Sequence, residues 1–152
     1  MKYFIKTLTI TIFVALSWSS LVSAQGEGTL ADPLILQSGK AVLIEGGPNT
    51  VLYGKLHVPN NNTSVTALLN VPDNKAEIYG RFGKFVIKNG REGYQCIGEA
   101  ESDPKYSNFK NCYFPDTSAG DYWIKVSFKE NVTDANVAFS TFSLEDENPF
   151  NM

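Results

Sequence analysis

Apolar residues occupy every second position in several short segments of the chain. In residues 51–58, Leu56 and Val58 alternate with polar or aromatic neighbours, and residues 122–129 and 137–144 show the same alternation. A two-residue period places alternate side chains on opposite faces of a sheet. These segments therefore predict strands that bury one face and expose the other.

Turn-forming residues separate these segments at short and regular intervals. Gly46–Asn49, Pro59–Asn62 and Pro72–Asn74 are clusters of Gly, Pro, Asn and Asp, which favour turns. Short strands with such regular turns are typical of all-β sandwiches and barrels. We therefore predict an all-β, antiparallel fold of about eight strands, because no segment carries the apolar stripe of an amphipathic helix.

The N-terminal segment has a different pattern. Lys2 and Lys6 precede the mostly apolar residues 8–16, and the small residues of Val22–Ala24 come just before Gln25. This order is typical of a cleaved secretion signal, and the apolar stretch is shorter than the roughly 20 residues that a membrane helix needs. We predict a signal peptide at residues 1–24, a secreted or periplasmic protein, and no membrane attachment after cleavage.

The rest of the chain is expected to form one domain. Residues 25–33 contain two Gly and a Pro, which predicts a flexible N-terminal segment. The domain is expected over residues 34–144, and residues 145–152 are expected to form an acidic tail. The net charge of the 152-residue chain is -3. Without a basic stripe to neutralise phosphates, nucleic acid is not an expected partner. We expect a monomer.

Cys96 and Cys112 are the two cysteines of the chain. In an oxidising compartment such a pair favours an intramolecular disulfide. The pair lacks the Cys-x-x-Cys spacing of redox-active sites. A metal site built on the two thiolates would need further Cys or His ligands, and His57 is the single histidine of the chain.

No catalytic constellation stands out. His57 lies within a predicted strand, and the chain has no Gly-x-Ser-x-Gly motif. Glu99, Glu101 and Asp103 lie close together in a polar segment. They leave a small hydrolase as an alternative, which would need an acid pair in a cleft. We favour a protein that is not an enzyme, with no catalytic residue and no cofactor.

A calcium site is the one metal hypothesis that the sequence supports. Asp73, Asn74 and Glu77 cluster around a turn and offer the oxygen ligands that calcium prefers. Their spacing matches no EF-hand loop, so the hypothesis rests on composition alone.

Several segments together resemble a known family. Residues 75–83, Lys-Ala-Glu-Ile-Tyr-Gly-Arg-Phe-Gly, are similar to the acidic-Ala-Asp-Leu-Tyr-Val-Arg-x-Gly segment of bacterial pre-peptidase C-terminal domains. Residues 94–96 and 111–115 resemble the two cysteine segments of that family, and 119–126 resembles its Ala-Gly-x-Tyr-Tyr-Val-x-Val strand. Residues 53–59 resemble its strand ending in Val-Pro.

The resemblance covers about residues 34–144 and implies a β-sandwich, jelly-roll-like in form, with one disulfide. The family module normally follows a catalytic domain, and no such domain is expected in this chain. The resemblance therefore implies a free-standing module here. In the family, such modules are linked with binding collagen or polysaccharide and with secretion or maturation of a protease. Lys75 departs from the family pattern, which usually has an acid there, and this weakens any inherited calcium site.

The expected function is a secreted, non-catalytic module that binds a polymeric glycan or protein. Exposed aromatic side chains would stack on sugar rings or peptide faces. The candidates are Tyr94, Tyr106, Tyr113 and Trp123. The alternative is an accessory or structural protein that binds another secreted protein such as a protease.

Overall fold

The computed structural model describes residues 25–88, 91–100 and 107–143. The predicted signal peptide at 1–24 and the predicted acidic tail at 145–152 lie outside the described residues. Within these ranges no helix has the length and the apolar character that a membrane crossing requires.

The described residues form strands, turns and one short 3₁₀ segment at Pro72–Asn74. The strands, in chain order, are β1 (Leu34–Ile35), β2 (Val42–Gly46), β3 (Val51–Val58), β4 (Thr63–Asn70), β5 (Ala76–Phe82), β6 (Ile87–Lys88), β7 (Arg91–Glu92), β8 (Cys96–Ile97), β9 (Glu99–Ala100), β10 (Phe109–Tyr113), β11 (Gly120–Phe128) and β12 (Val132–Ser143).

Ten of these strands form two five-stranded sheets that enclose one core. Sheet I has the order β1-β3-β11-β5-β8, and sheet II has the order β2-β12-β4-β10-β9. The pairs are antiparallel except β1 with β3, which is parallel. Strands β6 and β7 pair separately as a two-stranded ribbon. The predicted all-β, antiparallel sandwich with one disulfide is confirmed.

The predicted two-residue period decides which side chains enter the core. On β11, Tyr122, Ile124, Val126 and Phe128 are each at most 2% exposed. They belong to one hydrophobic cluster with the inward residues of sheet II, among them Phe139. The alternation of β11 is therefore confirmed as the core-forming pattern of sheet I.

The turns follow the Gly and Asn residues that the sequence singled out. Asn49 and Asn62 have φ values of 67° and 57°, in the left-handed region that Asn tolerates. Gly120 has φ 145°, and a Cβ there would lie 2.8 Å from the Phe82 ring. A side chain at position 120 would therefore meet both backbone strain and a clash at the start of β11.

The disulfide joins the two sheets at one edge of the sandwich. Cys96 on β8 in sheet I bonds to Cys112 on β10 in sheet II, with a Cα–Cα distance of 5.5 Å. Both sulfurs pack against the backbone of Gly80, where a Cβ would lie 2.6 and 2.8 Å from them. The predicted Cys96–Cys112 bond is confirmed. The segment between the cysteines contains β9 and the start of β10.

A buried amine ties the sheets together near the same edge. Lys110 on β10 is 5% exposed, and its Nζ donates a hydrogen bond of 2.7 Å to the carbonyl oxygen of Ala76 on β5. Burial lowers the pKa of Lys110, and the nearby charge of Lys129 lowers it further. The amine therefore acts as a donor that joins sheet II to the backbone of sheet I.

Replacing both cysteines, as Cys96→Ser with Cys112→Ser, should lower the free energy of unfolding by about 3 kcal/mol, because the unfolded chain loses a closed loop. Urea denaturation followed by circular dichroism measures the change. As a control, a reducing agent should produce the same loss in the unmodified protein and none in the double variant. An unchanged midpoint in the double variant would contradict the prediction.

Candidate functional site

The central part of the outer face of sheet II is uncharged. The exposed side chains of Glu45 on β2 and Asp134 on β12 lie at one end of this face, and the other outward side chains of β2, β12, β4 and β10 include no Lys, Arg, His, Asp or Glu. We call this surface the neutral face; it consists of Leu43, Ser64, Thr66, Leu68, Asn70, Phe109, Asn111, Tyr113, Asn136, Ala138, Ser140 and Phe142. Glu99 borders it on β9, opposite Asn111.

Large apolar side chains stand out from the neutral face. Tyr113 is 67% exposed, Phe142 54%, Leu43 52% and Phe109 40%. Thr66 pairs with both Tyr113 and Ser140, and Phe142 follows two residues after Ser140. The backbones of Tyr113 and Phe142 are therefore two strand spacings apart across the sheet and two residues apart along it. This places them about 12 Å from each other. The rings therefore flank a strip of Ser and Thr side chains.

The outer face of sheet I has the opposite character, because a segment of the chain covers it. We call residues 83–88 and 91–95 the covering segment. Phe85 in this segment is 3% exposed and makes an edge contact with Tyr53, with ring centroids 5.8 Å apart. Glu92 accepts hydrogen bonds from the Tyr53 hydroxyl, at 2.6 Å, and from Lys125. The covering segment is thus held by both apolar and ionic contacts.

Trp123 lies under this cover. Its side chain is 6% exposed, and the Nζ atoms of Lys55 and Lys84 lie 5.7 and 5.8 Å from its ring centroid. Such distances allow cation–π attraction. The indole ring is therefore used for packing between two lysines, and it presents no open face to a ligand.

The four predicted ligand-binding residues do not share one surface. Tyr113 lies on the neutral face, whereas Tyr94 packs on Tyr79 of sheet I at a centroid distance of 5.1 Å. Trp123 is buried, and Tyr106 lies outside the described residues. Phe109 and Phe142 were missed, although the alternation over 137–144 already put Phe142 on the face opposite Phe139.

The predicted calcium ligands have other partners in this structure. Asp73 forms an ion pair with Lys75 at 3.5 Å. Glu77 accepts a hydrogen bond of 2.5 Å from the Tyr79 hydroxyl and pairs with Lys129 at 2.7 Å. Over the described ranges, no group of three or more His, Cys, Asp or Glu side chains is arranged to hold a metal. The calcium hypothesis at Asp73, Asn74 and Glu77 stays a prediction.

Of the three acids considered for a hydrolase, one lies within the described residues. Glu99 is exposed on β9, and Glu101 and Asp103 lie outside the described residues. His57 is exposed on the outer side of β3, and its Nδ1 lies 2.8 Å from Asp121 Oδ1. Lys55 lies 3.5 Å from the same carboxylate, so Asp121 is shared between two basic side chains.

Hydrogen bonds and ion pairs on the outer side of sheet I lower the pKa values of two carboxyl groups. Burial alone would raise the pKa of Glu92, but the hydrogen bonds from Lys125 and Tyr53 outweigh it and lower that pKa. The hydrogen bond from Lys129, helped by that from Tyr79, lowers the pKa of Glu77. The same hydrogen bond to Glu77, together with burial, raises the pKa of Tyr79 to about 12. Both carboxylates therefore stabilise the folded protein when they are ionised.

A groove of about 500 Å³ opens between the two sheets at the edge where β1 and β2 lie. The Ser38 and Thr141 hydroxyls are hydrogen-bonded at 2.7 Å beside β12, where Ser38 also forms a bridge with Phe139. The groove is lined by Ile35, Leu36, Gln37, Ser38, Leu56, His57, Val58, Pro59, Asn60, Thr63, Thr141 and Ser143.

The comparison with solved structures finds a neighbour in the family that the sequence resembles. No family model matches the chain, and no curated protein matches it significantly. The fold is similar to the 1.0 Å crystal structure of the pre-peptidase C-terminal domain of a collagenase from Bacillus anthracis, with 14% identity and a TM-score of 0.44. The match covers 72% of this chain and 96% of that domain. The predicted resemblance is confirmed; at this similarity it transfers no ligand and no residue role.

Acid should destabilise the protein through Glu92 and Glu77. Their pKa values are lower in the folded state than the ordinary value of 4.5, so their contribution is present above that pH and is lost as pH falls through the folded values. Urea midpoints should therefore drop between about pH 5 and pH 3.

Glu92→Gln separates this effect from general acid sensitivity. The variant should have a lower midpoint at about pH 7, because it loses the ion pair with Lys125, and a smaller drop on acidification. Glu45→Gln, at an exposed position of β2, is the matched control and should behave like the unmodified protein. An equal acid-induced drop in the Glu92 variant and the unmodified protein would count against this assignment.

Proposed function

We propose that this protein is a non-catalytic binding module that holds a neutral polysaccharide on the neutral face of sheet II. The observation that carries the proposal is the exposure of Phe109, Tyr113 and Phe142 on the uncharged central part of a sheet face. Exposed apolar and aromatic side chains that are grouped on one face of a domain are typical of interaction sites.

The chemistry of the neutral face fits a sugar polymer. Aromatic rings bury a large area against the apolar faces of sugar rings, at a low cost in conformational entropy. Ser64, Thr66 and Ser140 supply hydroxyl groups that can donate to and accept from sugar hydroxyls. The neutral face itself carries no charged side chain, and the charged residues that border it, Glu45, Glu99 and Asp134, are all acidic. A neutral ligand is therefore the one to which this surface is complementary.

A location outside the cytoplasm agrees with this role. The Cys96–Cys112 bond is of the kind that persists in oxidising compartments. We infer that the protein acts in the extracellular medium or the periplasm, where polysaccharides are met. The alternative function, binding to another secreted protein, would use a different feature, the groove between the sheets.

Retention on insoluble polymers tests the proposal. The protein should be retained on at least one neutral polymer among cellulose, chitin and xylan, and less on anionic alginate. The double variant Tyr113→Ala with Phe142→Ala should bind about tenfold more weakly, because it loses two aromatic contacts. Both side chains are more than half exposed, so the fold should lose little stability.

Tyr94→Ala is the matched control. Tyr94 is an exposed aromatic residue too, at 49%, but it lies on the side of sheet I. It should be retained like the unmodified protein. The proposal is overturned if no neutral polymer retains the protein, or if Tyr94→Ala loses as much binding as the double variant. Retention on collagen alone would favour the alternative of a protein ligand.

A further inference from the structure

Strand β12 loses its partner on one side before it ends. On the side of β4 it is paired from Asn136 to Ser143. On the side of β2 its ladder covers Val132 to Val137, followed by one isolated bridge between Ser38 and Phe139. Among the described residues, pairing on the β2 side therefore ends two residues before Thr141.

The backbone of Thr141 points to this open side. The Phe139 carbonyl accepts a hydrogen bond of 2.8 Å from Gly39, so the odd-numbered residues of this part of β12 direct their backbone groups away from β4. Val65, opposite Thr141, agrees with this, because its carbonyl accepts from Phe114 on the β10 side at 3.1 Å. The Thr141 N–H and C=O therefore point away from β4, toward the side of β12 on which the described residues provide no further strand.

The groove of about 500 Å³ lies directly beside this edge. Leu36, Leu56 and Val58 are buried groove residues, and Ile35 is 44% exposed. None of the lining residues is Lys, Arg, Asp or Glu. His57 is the one ionisable imidazole of the lining, and Asp121 holds it at 2.8 Å on the outer side of sheet I.

Within the part of the chain that the structure describes, the edge at Thr141 has no Lys, Pro or bulge, and Ser38 contacts it through its hydroxyl. Natural sheet edges are blocked by Lys, by Pro, by bulges or by a covering segment. The register shift in β12 lies between Val132 and Ala135, at the other end of the strand. Residues 140–142 are Ser, Thr and Phe, which are compatible with further strand pairing.

We propose that the β12 edge at Thr141 and the adjoining groove form a second binding site, which takes an extended, uncharged peptide segment of a partner protein as an added strand. The partner backbone bonds to the N–H and C=O of Thr141, and every second side chain enters the groove. The uncharged lining selects apolar or hydroxyl-bearing side chains over charged ones, because a buried charge there would have no counter-ion. This site is separate from the neutral face and independent of its proposed ligand.

Amide hydrogen exchange tests the structural premise on the unmodified protein. Ser140 and Phe142 donate within the β4 ladder, so their amides should exchange slowly, whereas the Thr141 amide between them should exchange at least tenfold faster. Equal protection of all three amides in the free protein would show that the edge is already paired, and would overturn the proposal.

Peptide binding tests the site itself. The probe is a set of N-acetylated, C-amidated octapeptides in which Val or Ile alternates with Ser or Thr, with charged and backbone N-methylated sets as controls. The uncharged set should bind and should slow exchange of the Thr141 amide at least tenfold. Binding of the N-methylated set with equal affinity, or binding without protection at Thr141, would contradict strand addition.

Thr141→Pro removes the donor at the edge without removing a β4 ladder bond, and Pro is tolerated where an edge N–H faces outward. It should weaken peptide binding about tenfold. The matched control Thr141→Val keeps the N–H, loses the hydroxyl bonded to Ser38, and should bind like the unmodified protein. Unchanged binding in Thr141→Pro would overturn the proposal. Because neither variant alters Tyr113 or Phe142, retention on polysaccharide distinguishes failure of this site from failure of the proposed function.

Discussion

The inward row of β11 is the contact on which the rest of the structure depends. Tyr122 begins the row, with its ring 5.1 Å from that of Phe114 and its hydroxyl donating to the Ser118 carbonyl at 2.8 Å. Because strand side chains alternate, burying this row forces Trp123 and Lys125 onto the outer face of sheet I. That face then holds a large indole ring that must be shielded from water, and the covering segment shields it.

The aromatic side chains of the two outer faces therefore have different roles. On sheet I, aromatic side chains are enclosed by lysines, Glu92 and the covering segment, so they contribute to stability. On sheet II, Tyr113 and Phe142 gain no such cover from the described residues. A fold whose single core is already complete has no packing need for these two rings, which is why the neutral face is the surface assigned to a ligand.

Strand positions could be predicted because alternation and turn residues are local. The predicted strand at 51–58 coincides with β3, and the predicted strand at 122–129 largely overlaps β11. Alternation also tells which residues share a face, but it does not tell which face is covered. Trp123 was a candidate for stacking on a ligand, with core packing as the alternative; it is buried, and Lys84, which is distant in sequence, lies over its ring. The open edge at Thr141 likewise depends on where β2 stops pairing, and no local pattern reports that.

The covalent bond at one edge gives the sandwich a mechanical asymmetry. Cys96 and Cys112 fasten sheet I to sheet II beside β8 and β10, with Gly80 filling the space under the sulfurs. At the opposite edge the side-chain contacts between described residues are noncovalent, and the Ser38–Thr141 hydroxyl pair holds the segment after β1 against β12. One edge of the sandwich is therefore fixed covalently, whereas a movement of the sheets at the groove edge breaks only noncovalent side-chain contacts.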